Sequence, residues 1–119
     1  MIYTLKMVYI CSPLKGDIDG NIEKAKRYTK FALMCGAAPV TPHFFALCIN
    51  DNDPGQRVIG IEAGHTLLGM CDELWQFGTH ISEGMQREID FARRKLKIPV
   101  LVISEDYVES FLSNRIGGG

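Results

Sequence analysis

No stretch of the 119 residues approaches the ~20 consecutive apolar positions that a membrane-spanning helix requires. Charge of neither sign dominates. The chain has 13 Lys and Arg against 14 Asp and Glu, a net charge of -1, so nothing electrostatic favours a nucleic acid or an acidic membrane as partner. A small anion remains allowed, because it needs only a local site. The four cysteines, Cys11, Cys35, Cys48 and Cys71, form no CxxC pair, and three lie in apolar stretches. Buried, reduced thiols are therefore expected. His43, His65 and His80 have no ligand partner at i+4, so neither a metal set nor a cofactor is predicted. Neither the GxxxxGK[ST] nor the GxGxxG phosphate loop is present. The opening residues Met1 to Lys6 lack the basic start and apolar stretch of a signal peptide, and a cytoplasmic protein is expected.

What is present reads as one α/β domain over residues 1–119, a length that suits a single core. Met7-Val8-Tyr9-Ile10-Cys11 is a short β-rich run that stops at the turn-forming Ser12-Pro13-Leu14-Lys15-Gly16-Asp17. Ile22, Ala25, Tyr28, Ala32 and Leu33 then recur at helical spacing up to Gly36. Ala38 to Thr41 is a second short strand, leading into an apolar segment from His43 to Cys48. The polar stretch Asn50 to Gly55 reads as a surface loop before a helix from about Gln56 to Met70. Cys71 to Gly78 reads as a strand ending in a loop. Ser82 caps a helix to about Lys97, with Met85, Ile89, Ala92 and Leu96 as its core stripe. Ile98 to Ile103 is a continuous apolar run, as expected of a strand buried on both faces. Glu105 to about Asn114 forms a last helix, and Gly117 to Gly119 a flexible tail.

Strands alternating with helices predict a three-layer sandwich around a mostly parallel sheet, Rossmann- or flavodoxin-like in class. Ligands in such folds bind beyond the carboxyl ends of the strands. That rule selects the loops after Ile10, after Thr41 and after Phe77.

In the first loop Ser12, Lys15 and Gly16 supply a hydroxyl, a charge and close backbone approach, all suited to an oxyanion, although an ordinary connecting loop looks the same. In the third, Gly78, Ser82 and Gly84 surround a helix N-terminus. Its unpaired N–H groups and the Ser82 hydroxyl suit phosphate or sugar hydroxyls, and Ser82 equally serves as a plain cap. Glu88 shares a helix face with Met85 and Ala92 and points toward the strand ends rather than into water. By position alone Asp72 is a sheet-end residue and Tyr9 a packed aromatic.

Together these pieces resemble the nucleoside 2-deoxyribosyltransferase superfamily, and within it a short DUF4406-type branch. The matching residues are Val8 to Leu14, Pro42-His43, Cys71 to Trp75, and Ser82 to Glu88 ahead of Ile98-Pro99-Val100. The resemblance implies that Glu88 is the nucleophile that attacks the anomeric carbon and expels the base. It implies that Tyr9 orients this carboxylate, that Asp72 contacts the sugar or assists the base, and that Ser82 binds a 5'-phosphate. Cleavage passes through an oxocarbenium-like state that a carboxylate stabilises and captures, while the leaving base needs a proton. Asp72 is the first candidate for that acid, with His43 and His80 as alternatives. Where relatives carry small residues after the glutamate this chain has Ile89 and Phe91, which are expected to narrow the pocket or alter how the helix packs.

The expected ligand-binding residues are thus Ser12, Pro13, Lys15, Gly16, His43, Gly78, Ser82 and Gly84, around Glu88, Asp72 and Tyr9. The ligand expected is a nucleoside or nucleotide, and the activity an N-glycosidase or deoxyribosyltransferase. A non-catalytic nucleotide-binding module of the same fold is the alternative. A flavin-binding protein fits less well, since the first loop lacks a run of hydroxyl residues. A homo-oligomer is expected from the family resemblance, with Trp75, Phe77 or Phe44 as contacts if they are exposed.

Overall fold

Four short parallel strands in the order β2-β1-β3-β4 make the sheet of this computed structural model, which describes residues 4–117. β1 is Met7–Cys11, β2 Ala38–Val40, β3 Glu73–Phe77 and β4 Val100–Ile103. The helices α1 (Ile18–Met34), α2 (Pro54–Leu68), α3 (Glu83–Asp90) and α4 (Glu105–Gly117) alternate with them. A 3₁₀ segment, Pro42–Leu47, follows β2. α3 continues as a widened π-type helix over Phe91–Leu96, which Lys97 closes in the left-handed conformation at φ 56. The predicted element order and α/β class therefore hold. Gly117 closes α4, and the rest of the expected glycine tail lies outside the described residues.

Alternation along β1 divides the core into two. Val8 and Ile10 face α1 and α4, packing with Tyr28, Phe31, Trp75, Phe77, Val108 and Leu112. Tyr9 and Cys11 face the opposite layer, packing with Leu68, Leu74, Met85, Ile89 and Ala92. Trp75 and Phe77 are thus core residues and offer no subunit contact. Phe31 sits at the centre of an aromatic cluster, edge-on to Trp75, Phe77 and Phe111.

β4 departs from expectation. Its apolar run predicted burial on both faces, yet Leu101 is 39% and Val102 57% exposed. The strand lies at the sheet edge, with a neighbour on one side only. Apolar composition records what a strand would bury, not how many neighbours it receives.

Two helix starts position the site. Asp53 caps α2, its Oδ2 accepting from Gln56 N at 2.9 Å, with Pro54 at the first helical position. The helix consequently begins two residues before the expected Gln56. Ser82 caps α3, its Oγ accepting from Met85 N at 3.2 Å. α2 approaches β1 unusually closely at Gly64. A Cβ there would lie 3.4 Å from the Tyr9 hydroxyl and 3.3 Å from Pro42 Cβ. A side chain there would press most tightly on Pro42 and would meet the Tyr9 hydroxyl at van der Waals contact.

Candidate active site

Period two along β1 sends Tyr9 and Cys11 to the same face, under α3. On α3, Met85 and Ile89 are each 1% exposed and anchor the helix in the core. Glu88, next to Ile89 and one helical turn from Met85, is thereby lowered onto the strand. The Tyr9 hydroxyl donates to Glu88 Oε2 at 2.5 Å. The Cys11 thiol lies 3.5 Å from the other oxygen, Oε1, with the Met85 carbonyl as its next acceptor at 3.9 Å.

Burial pushes the Glu88 carboxyl up to about 7, against the opposing pull of the Tyr9 and Cys11 hydrogen bonds and the Arg87 charge. Burial first, and the Glu88 charge second, hold Tyr9 and Cys11 far above their ordinary values. Both therefore remain protonated donors, and Glu88 is the one member of the trio that changes charge near neutral pH.

Tyr9 and Glu88 open onto a cavity of about 520 Å³, within the size range of small-molecule sites, with the Cys11 thiol buried behind them. Among the expected residues, Tyr9, Ser12, Lys15, Gly16, His43, Ser82, Gly84 and Glu88 line it. Pro13 and Gly78 do not. They line a second cavity of about 530 Å³ on the α1–α4 side, together with Tyr28, His80 and Glu105. Gly78 adopts φ 80 where the chain leaves β3 and donates its N–H to Ile103 O, which gives it a structural task in that turn.

The structure does not bring Asp72 to Glu88. Asp72 precedes β3 at its amino end, and its Oδ2 accepts from Met7 N at 2.8 Å. Tyr9 and Glu88 meet nearer the carboxyl end of the sheet. Asp72 is not among the residues lining the cavity, and its carboxyl is engaged by the Met7 backbone, so the structure does not bring it into the site as the resemblance implied.

His43 is also unsuited to that task. Its Nε2 lies 2.8 Å from the Ser12 carbonyl and 3.1 Å from Ser12 Oγ. Only an N–H makes the carbonyl contact, so Nε2 carries the proton and Nδ1 is the acceptor. Burial lowers this imidazole below its usual range and keeps it neutral. Nδ1 is buried and has no hydrogen-bond partner among the described residues. His43 thus clamps the loop after β1 to the 3₁₀ segment. Because Ser12 Oγ accepts from this ring N–H, its own proton is left to donate into the cavity. His80 belongs to the second cavity.

Several lining residues escaped sequence reasoning. Asp51 and Arg57 form an ion pair at 2.6 Å with side chains 10% and 23% exposed. His65 stacks on Phe91, ring centroids 5.5 Å apart, and burial followed by the Arg87 charge lowers it below its usual range. Arg87 completes the wall beside Glu88. Asp51 lies in a stretch whose polarity reads as surface loop, so no local signal marks it. Cys11 was expected only as a buried thiol; the signal that could have found it is its place two residues after Tyr9 on an alternating strand. Ile89 is buried in the core and Phe91 packs against it, so neither bulky residue narrows the cavity.

A four-stranded parallel sheet flanked by helices makes this an α/β protein, and its fold is nucleoside deoxyribosyltransferase-like. A solved 2-deoxyribosyltransferase from the psychrotolerant bacterium Bacillus psychrosaccharolyticus superimposes with a TM-score of 0.65 at 16% identity, covering 82% of this chain and 72% of that one. The chain itself belongs to the DUF7768 family, a domain of unknown function, whose family model matches residues 6–103. The motifs pointed to a DUF4406-type branch, whereas the model that matches is DUF7768. No curated protein matches the sequence. Among the described residues, no helix is long and apolar enough to cross a membrane.

Proposed function

We propose that this protein is a nucleoside or nucleotide N-glycosidase or 2-deoxyribosyltransferase with Glu88 as nucleophile. The observation that carries the reading is the Tyr9-held carboxylate opening onto a cavity of substrate size. In the first half-reaction a Glu88 oxygen bonds to the anomeric carbon while the carbon–nitrogen bond breaks. The electron pair leaves with the base, which takes a proton from water in the open cavity. Water or a second base then cleaves the glycosyl ester and restores the carboxylate. The developing positive charge lies against Glu88 in a half-dry site, where charge stabilisation is strong. In this reading Ser82 and Gly84 at the start of α3, with Lys15 and Arg87, which all line the cavity, receive a 5'-phosphate or 5'-hydroxyl.

Attack requires ionised Glu88. The rate is therefore expected to climb with pH, about tenfold per unit at the acidic end, and to level off above about 7, where this carboxyl titrates. The direct test is incubation with 2'-deoxynucleosides and their 5'-monophosphates, with free base followed by chromatography from pH 5 to 9. Base release with that profile supports the enzyme. Binding without release from any substrate would leave the non-catalytic module.

A homo-oligomer is part of the same reading, in keeping with apolar side chains left open on α2, where Val58 is 52% and Ile59 63% exposed. Gel filtration at micromolar concentration is expected to give more than the monomer mass. So is a cytoplasmic setting, in keeping with the buried, unbridged thiols of Cys11 and Cys71.

A further inference from the structure

The two oxygens of a carboxylate are chemically alike until their neighbours distinguish them. In Glu88 they are held by unequal donors. Oε2 receives a phenol O–H at 2.5 Å, a strong donor, from Tyr9. Oε1 receives a thiol at 3.5 Å, a weak donor, from Cys11. That thiol is fully buried in β1, so its direction is set by packing rather than by solvent. It also has a second acceptor in reach, the Met85 carbonyl at 3.9 Å. A strong donor on an attacking oxygen drains the electron density that attack requires. A weak donor fixes its direction at little cost and is easily given up.

We propose that Cys11 is the positioning residue for the attacking oxygen of Glu88, its thiol aiming Oε1 at the cavity while Tyr9 anchors Oε2. The catalytic half of this statement rests on the glycosyl-transfer reading; the hydrogen bond itself does not. As the bond from Oε1 to the anomeric carbon forms and the base departs with its electron pair, the thiol turns to the Met85 carbonyl. Sulfur keeps its proton throughout, and no charge passes through it. Tyr9 stays on Oε2, which becomes the carbonyl oxygen of the ester.

The groups that bear on Glu88 are Tyr9 and Cys11 from β1 and Arg87 from its own helix. Around the cavity stand His65 and the Asp51–Arg57 pair from the α2 side, Lys15 from the loop after β1, and Glu83. Of these, Tyr9 and Cys11 alone hydrogen-bond the carboxylate among the described residues. A change at Cys11 should therefore be read directly in Glu88.

The experiment compares wild type, Cys11→Ala and Cys11→Ser by infrared or carbon-13 titration of the Glu88 carboxyl, with Glu88→Gln identifying the signal. Base-release kinetics are recorded alongside. Loss of the thiol donor should raise the Glu88 midpoint in Cys11→Ala by about half a pH unit or more, and the stronger hydroxyl donor should lower it in Cys11→Ser. In kinetics, Cys11→Ala should lose about tenfold in kcat with KM nearly unchanged. Cys11→Ser should recover most of that loss and move the acidic limb to lower pH. Cys11→Ser retains size and a donor, so it reports even if the alanine variant does not fold. Opposite midpoint shifts without base release in any protein would uphold the Cys11–Glu88 bond while removing the glycosyl-transfer reading. A midpoint that stays put in the folded variants, or kcat losses equal in alanine and serine, would overturn the positioning role.

Discussion

Glu88→Gln should lower base release by about 10³-fold or more at every pH, because the amide can still occupy the site but cannot form the glycosyl ester. The same substitution should stabilise the protein in mild alkali. The folded state holds the Glu88 carboxyl near 7, against an ordinary value of 4.5. Between these two values the folded protein binds more protons than the unfolded chain, so stability falls as pH rises through that window. The difference of about 2.5 units corresponds to roughly 3 kcal/mol for forcing the buried carboxyl to ionise. The neutral amide escapes that cost. Thermal melting at pH 8 should therefore show the variant above wild type, and melting near pH 4 should show the two converging. A variant that is inactive and also less stable at pH 8 would mean that Glu88 is a structural ion rather than a strained functional one. Activity retained in Glu88→Gln would end the nucleophile assignment outright.

Tyr9→Phe should produce the second-largest effect, of a different kind. The ring keeps its place in the core, but Oε2 loses its strong donor. With that hydrogen bond gone the anionic form is less favoured, and the Glu88 titration moves above about 7. At pH 7 kcat should fall by roughly 10²-fold, partly from lost alignment and partly from the smaller ionised fraction. Much of the second part should return at pH 9. The pH profile of kcat separates the two variants: Glu88→Gln is flat and low, whereas Tyr9→Phe climbs later than wild type. A Tyr9→Phe profile that overlays wild type would show that the phenol packs beside the carboxylate without controlling it.

The local signals were strong where the chemistry is local. The strand Met7–Cys11, the Ser82 cap and the stripe Met85, Ile89, Ala92 were each legible from spacing; that Tyr9 meets Glu88 was implied by the family resemblance and is seen in the fold. Asp72 was not legible. A strand's two ends lie close in sequence but at opposite ends of the sheet, and family motifs do not say which end the cavity occupies. Asp51 and Arg57 were hidden for a related reason. Asp51 sits in a polar loop and Arg57 in the first turn of α2, and only the fold of that loop against the helix turns the pair into the cavity wall.

The sequence alone therefore determined the alternation of strands and helices and the parallel α/β class, while the roles of Glu88 and Tyr9 came only as what the family resemblance implies. The alternation and the class follow from periodicity, capping and turn chemistry within a few residues. The order of strands, the exposed edge at β4, the exclusion of Asp72 and the grip of Cys11 on Glu88 were settled only by tertiary structure. They depend on contacts between residues as far as 77 positions apart, and whether such residues meet is decided by how whole elements pack.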